Sequence, residues 1–157
     1  MRMELFRINV DSPVGLWGVE GTNDGVTHIR LPNERGRSSR GVAPRAVKDA
    51  ARQLEQFLAG TRRDFDVELS DVTATNFQHD VWHALRRIPY GHVRTYADVA
   101  ASVKRPRAMR AVGNANHANP WPVIVPCHRV VAKNGLGGYG GGDVVKRFLL
   151  ELEGVEL

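Results

Sequence analysis

The chain has 157 residues, 42% of them hydrophobic and 25% charged, the balance of a folded globular protein rather than a disordered one. No stretch reaches the roughly 20 apolar residues of a membrane span, and MRMELFRINVDSP lacks the apolar run of a secretory signal, so a cytoplasmic protein without a membrane partner is expected. The net charge of +5 is unevenly placed: residues 1–71 hold 11 Lys/Arg and 11 Asp/Glu, residues 72–147 hold 11 and 3, and the last ten residues hold three glutamates and no base. A basic segment in an otherwise neutral chain points to a polyanionic partner such as nucleic acid.

In chain order, Glu4 to Val10, Val14 to Val19 and Gly25 to Leu31 read as strands, with DSP and TNDG as turns, and predict a small antiparallel sheet. Residues 32–43, PNERGRSSRGVA, read as a polar loop with solvated arginines. Pro44 in a first turn, Val47, Ala51, Leu54, Phe57 and Leu58 at helical spacing, and Gly60 as a stop predict an amphipathic helix over 44–59 that covers the sheet. FDVELS then leads to a junction near 70–76, where the charge composition shifts, which divides the chain into domains 1–72 and 73–157.

Beyond the junction the helices are short. Asn76 is expected to cap one bearing Phe77, Val81, Trp82, Leu85 and Ile88, ended by the turn Pro89-Tyr90-Gly91. Thr95 with Asp98 resembles a capping box and starts a helix through Val103. Pro106 is expected to open another, about ten residues long, with Arg107, Arg110, Gly113 and Asn116. Two short helices joined by a tight turn, the second basic, fit a helix-turn-helix, although helical spacing alone fits other small bundles equally. Pro120, Pro122 and Pro126 surround Val123-Ile124-Val125, a strand-like piece that ends rigidly at Cys127. After the glycine-rich NGLGGYGGG, Asp143 is expected to cap a final helix with Val145, Phe148, Leu149 and Leu152, stopped by Gly154. The glycine-rich stretch lacks the Gly-Lys-Ser/Thr of a phosphate loop.

Cys127 is the only cysteine, which excludes an intrachain disulfide and a multi-cysteine zinc site; no metal and no cofactor is expected. A lone cysteine is usually a small buried hydrophobe, but this one sits in Pro126-Cys127-His128-Arg129. Cysteine reacts as thiolate, so it needs a base beside it and a backbone that presents it. Pro126 fixes the backbone, His128 can take the thiol proton, and Glu153 on the last helix is the candidate carboxylate to orient the imidazole.

PCHRV, preceded by NPWPVIV and followed by GLGGYGGG and KRFLLELEG, resembles the active-site region of the O6-alkylguanine-DNA alkyltransferases. FQHDVWHALRRIPYGHVRTYADVA and RPRAMRAVGNANHANP resemble the DNA-binding half of that family, so the likeness spans about residues 75–154. It implies an α+β protein: a ribonuclease H-like N-terminal unit, with a small antiparallel sheet and covering helix, and a helical winged helix-turn-helix C-terminal unit. It implies that Cys127 takes the alkyl group from O6-alkylguanine, with O4-alkylthymine a further candidate substrate, in one irreversible transfer, because a thioether is not hydrolysed.

The same resemblance assigns roles to residues. His128 deprotonates Cys127 through a water, Glu153 holds His128, Tyr96 hydrogen-bonds guanine N3, and Asn119 braces the active-site turn. Tyr96, Pro122, Val130, Tyr139 and Gly140 form the base pocket, with the Cys127 and Val130 carbonyls accepting from the exocyclic amine and the Gly140 N–H near O6. Arg110 is the finger that fills the gap left by the extruded base, and Thr95, Arg107, Ala111, Asn116 and Arg129 lie at the DNA. The implied partner is duplex DNA bearing the lesion, bound by a monomer in the minor groove, with cooperative binding left open. A non-catalytic lesion-binding relative is the main alternative, and Cys127 argues against it. A cysteine hydrolase would have no place for the basic helix pair, and a plain winged-helix regulator would not need PCHRV.

Overall fold

A computed structural model describes residues 5–157, which form two compact units that meet between Val72 and Thr73. The architecture is α+β. In the first unit β1 (Phe6–Val10), β2 (Trp17–Thr22) and β3 (Gly25–Arg30) make an antiparallel sheet in sequential order, followed by α1 (Arg45–Leu58). Asn23 and Asp24 form the tight turn between β2 and β3, and Gly25 takes the positive φ that follows it. Val19, Val26 and Ile29 from the sheet and Val47, Leu54 and Phe57 from the helix are buried, each contributing about 1.5–3 kcal/mol on burial.

The strand boundaries shift from the sequence reading: β2 runs from Trp17 to Thr22 rather than from Val14 to Val19, and β3 ends at Arg30 rather than Leu31, while Glu4 lies outside the described residues. Ser12 explains the later start: its hydroxyl accepts from Val14 N and Trp17 Nε1 and donates to the Gly15 carbonyl, which holds 12–15 in a turn. The polar loop after β3 runs along the outer edge of β1, where Ser39 and Ser38 hydroxyls accept from Arg7 N and Asn9 N, and its arginines 35, 37 and 40 are exposed. Pro44 caps α1 instead of occupying its first turn.

Arg7 forms the polar centre of this unit. Only 8% exposed, it donates to Asn9, Glu20 and the Glu34 carbonyl, and Glu20 also takes Arg30. A Cβ on Gly18 would stand 2.4 Å from the Arg7 guanidinium carbon, so the glycine in mid-strand makes room for the buried cation.

In the second unit α2 (Asn76–Arg86), α3 (Tyr96–Ser102) and α4 (Met109–His117) pack together, and β4 (Arg94–Thr95) pairs in parallel with β5 (Val130–Val131). α5 (Asp143–Leu152) closes the chain. Trp82 is the keystone: it packs edge-on against Trp121 at 6.0 Å and its indole N–H donates to the Ala115 carbonyl across 2.9 Å. Thr75, not Asn76, caps α2, in a reciprocal box with Gln78. The box predicted at Thr95 and Asp98 is present on α3.

Pro106 opens a turn, not a helix. Lys104 at φ 61 reverses the chain, Ala108 N closes on the Arg105 carbonyl, and α4 begins only at Met109, which leaves Arg107 in the connection. Gly142 caps α5, and Asp143 is its first residue. Among the described residues no helix is long and apolar enough to cross a membrane.

Candidate active site

The segment ahead of the cysteine, expected to be strand-like, is a tight turn. The Asn119 side chain overrides the β-branched run: its Oδ1 accepts from Trp121 N and its Nδ2 donates to the Val125 carbonyl, while Val125 N closes on the Trp121 carbonyl. Val123 is forced to φ 78, a left-handed conformation that a β-branched residue adopts only under constraint. Pro126, at φ −81 and ψ 67, then forms an inverse γ-turn in which Cys127 N meets the Val125 carbonyl at 2.8 Å. Cys127–Arg129 make one 3-10 turn, with all three side chains buried.

That turn sends consecutive residues in different directions. His128 is fully enclosed and its Nε2 lies 2.6 Å from Glu153 Oε2. Glu153, at the C-terminus of α5, also accepts from Gly91 N at 2.9 Å and from the Arg129 guanidinium at 2.9–3.2 Å. Arg129 was expected at the DNA; it is instead 7% exposed, donates to Glu153 and the Ile88 carbonyl, and stacks over Tyr90. The carboxylate holds the guanidinium inward through two parallel N–H···O bonds, and either charge enclosed without the other would be far costlier.

The charges follow from this enclosure. Burial would raise the Glu153 carboxyl, but the hydrogen bond from His128, with Arg129 and the Gly91 N–H, holds it at about 2. Burial pushes His128 down, further than Glu153 pulls it up, and Arg129 and Lys146 add to the fall. A neutral imidazole beside an ionised carboxylate donates from Nε2 and keeps its Nδ1 lone pair free to accept a proton; Nδ1 is buried with no partner among the described residues. Burial likewise pushes the Cys127 thiol up, against a hydrogen bond from Asn119 and the charge of Lys146. The resting sulfur is therefore the thiol, and its proton must be removed when the reaction occurs.

Tyr96 starts α3 and is half-buried, its hydroxyl 3.4 Å from the Gly138 carbonyl and close enough to feel the charge of Cys127. Pro122 and Val130 are buried, Tyr139 is half-buried, and Gly140 is exposed in the turn that Gly142 N closes on Tyr139. The structure thus brings Cys127, His128, Glu153 and Asn119 together, with Tyr96 alongside.

Arg110 and Ala111 are exposed on α4, and Arg107 is exposed just before it. Thr95 is half-buried and its hydroxyl is engaged by Asp98 N, while Asn116 is half-buried with its Oδ1 turned inward. Lys146 was missed altogether: fully buried, it donates to the Val130 carbonyl at 2.6 Å and the Gly138 carbonyl at 3.0 Å. The signal was available, since Lys146 shares the apolar stripe of Leu149, Leu150 and Glu153 at helical spacing.

These features define a protein whose enclosed cysteine is served by an imidazole–carboxylate pair, in a unit that exposes Arg110 on α4 and Arg107 in the connection before it. A family model described as 6-O-methylguanine DNA methyltransferase, DNA binding domain, matches residues 76–155. A Methanosarcina acetivorans methylated-DNA--protein-cysteine methyltransferase is 42% identical over 151 residues, covering 92% of this chain and 95% of the relative. A crystal structure of the Mycobacterium tuberculosis O6-methylguanine methyltransferase is 41% identical, with a TM-score of 0.81 over 96% of this chain and 93% of that one. Another, in complex with DNA, is 45% identical with a TM-score of 0.81 over 92% and 90%. The chain belongs to the O6-methylguanine-DNA methyltransferase family.

Proposed function

We propose that this chain repairs alkylated DNA by drawing O6-alkylguanine out of the duplex and moving its alkyl group to Cys127, once per molecule. The observation that carries the reading is the 2.6 Å contact between His128 and an ionised Glu153 directly beside the cysteine. His128 Nδ1 takes the Cys127 proton through a water, and Glu153 stabilises the imidazolium that results. The sulfur lone pair then bonds to the alkyl carbon, the carbon–O6 bond breaks, and its electron pair leaves with the guanine. Tyr96 donates to the purine N3, where negative charge gathers, and Asn119 fixes the turn that aims the sulfur. The product is a neutral thioether that water does not cleave.

At the DNA, α3 and α4 serve as the two helices of a winged helix-turn-helix, and Arg110 fills the stack after base extrusion, with Arg107 and Ala111 beside it. Their exposure on the basic unit supports this, and the small residues Ala108, Ala111 and Gly113 allow close approach to a minor groove. Pro122, Val130, Tyr139 and Gly140 line the base pocket; the Val130 carbonyl, already bonded to Lys146, keeps one lone pair for the exocyclic amine. The N-terminal unit is a ribonuclease H-like scaffold, supported by three sequential antiparallel strands followed by a helix. The protein works as a cytoplasmic monomer.

Incubation with a duplex carrying labelled O6-methylguanine tests this. Label is expected on the peptide containing Cys127, at one equivalent, and not at all with Cys127→Ser. Binding without transfer would favour a lesion-recognition protein, and transfer of many equivalents would exclude the single-use mechanism.

A further inference from the structure

Lys146 has no part in the reaction above and is poorly explained by packing. Its side chain is completely enclosed on α5, and both its acceptors are main-chain carbonyls rather than carboxylates. An ammonium so placed is costly, whereas methionine would fill the same space without a charge to desolvate. The two carbonyls belong to the two segments that flank the nucleophile. Val130 closes the 3-10 turn that begins at Cys127, and Gly138 lies in the glycine-rich stretch, where it also receives the Tyr96 hydroxyl.

The charged and titratable groups around this ammonium are few. Asp143 precedes it by three residues on α5 but is exposed to solvent. Tyr96 is held protonated by burial, and His128, on which the Lys146 charge also acts, is neutral at rest and so offers no anion. The carboxylate of Glu153 is committed to His128, Arg129 and Gly91. The remaining candidate anion is the sulfur, and the charges of Lys146 and Cys127 act on each other.

We propose that the Lys146 ammonium is the fixed counter-charge of the Cys127 thiolate and the clamp that holds the glycine-rich segment to the nucleophile's turn. The inference rests on Cys127 being the reactive thiol. When the proton leaves for His128, the negative sulfur feels a cation already held on the carbonyl that closes its own turn. When the sulfur pair bonds to the alkyl carbon and the carbon–oxygen pair departs with the guanine, the sulfur becomes neutral and Lys146 is left with two carbonyls alone. Burial already holds its amine down at about 8, so losing the sulfur charge moves it further toward the uncharged form. The ammonium is therefore held most firmly while the thiolate exists, between loss of the thiol proton and the transfer. Lys146 is a positioning residue that touches no reacting atom.

The test reads the thiol without DNA. Alkylation of Cys127 by iodoacetamide is followed against pH in wild type, Lys146→Met and Lys146→Gln, with melting temperatures in parallel. The neutral variants are expected to shift the inflection to higher pH and to slow the reaction at pH 7 by about tenfold or more, since a cation nearby is worth one to three pKa units. Lower melting temperatures with an unmoved inflection would mean that Lys146 is only structural. Should neither variant fold, the lysine side-chain carbons of the wild type and Cys127→Ser are titrated by NMR. Lys146 should lose its proton at lower pH in Cys127→Ser, and identical titrations would overturn the pairing. Failure of wild type to take label from a methylated duplex, with the shift intact, would count against the repair reading and leave Lys146's role standing.

Discussion

Glu153→Gln separates charge from shape at the centre of the site. The wild-type carboxylate holds His128, the Nε and Nη2 edge of the Arg129 guanidinium and the Gly91 N–H. The amide must turn its NH2 toward one of those donors and leaves the Arg129 charge enclosed without a partner. The drop of the carboxyl from 4.5 to about 2 corresponds to on the order of 3 kcal/mol, and breaking one side of a buried pair costs about 3–5 kcal/mol. Because the folded value is depressed, the stabilisation is complete above the ordinary carboxyl range and is lost as pH falls from about 5 toward 2. Urea unfolding followed by tryptophan fluorescence is suited to this, since Trp82 and Trp121 sit in the same unit. The variant should lose about 3 kcal/mol at pH 7 and show a flatter acid dependence. A loss below about 1 kcal/mol, or an acid slope equal to wild type, would refute the account of Glu153 as the shared counter-ion.

Arg110→Ala should slow transfer from duplex DNA much more than reaction with a free O6-alkylguanine base, as measured by single-turnover rates; equal losses would remove it from base extrusion. Val123→Gly should be more stable than Val123→Ala by about 1 kcal/mol, reversing the usual order, because glycine alone relieves the left-handed strain at φ 78; chemical denaturation of the two variants decides it. Gly18→Ala should cost about 2–3 kcal/mol by displacing the Arg7 guanidinium from Glu20, and most of that loss should vanish in an Arg7→Ala background.

Much of this was readable from residue order where local chemistry decides. The Thr95–Asp98 capping box, the α1 apolar stripe and the Pro89–Gly91 turn depend on groups within a few residues of each other. The pairing of His128 with Glu153 followed from chemical need more than from spacing. What could not be read depends on direction and enclosure. Arg129 looks like any DNA-facing arginine in the string PCHRV, and only the sense of a single 3-10 turn sends it inward. Val123-Ile124-Val125 has strand composition, yet two bonds from one asparagine side chain outweigh that preference. Lys146 is the exception: its place in the apolar stripe of α5 marked it, but a base on a helix is ordinarily solvated and so draws no notice.

The serines beside β1 have a consequence for how this molecule behaves in company. An outermost strand normally offers its outward amide hydrogens to any extended chain that comes near, and two of those hydrogens are already taken by hydroxyls. That rim is thus closed to a further strand by two serine hydroxyls together with the Ser39 N–H, which donates to the Arg7 carbonyl. Trimming residues 36–39 should turn a well-behaved protein into one that self-associates in a concentration-dependent way, while leaving the chemistry at the sulfur untouched.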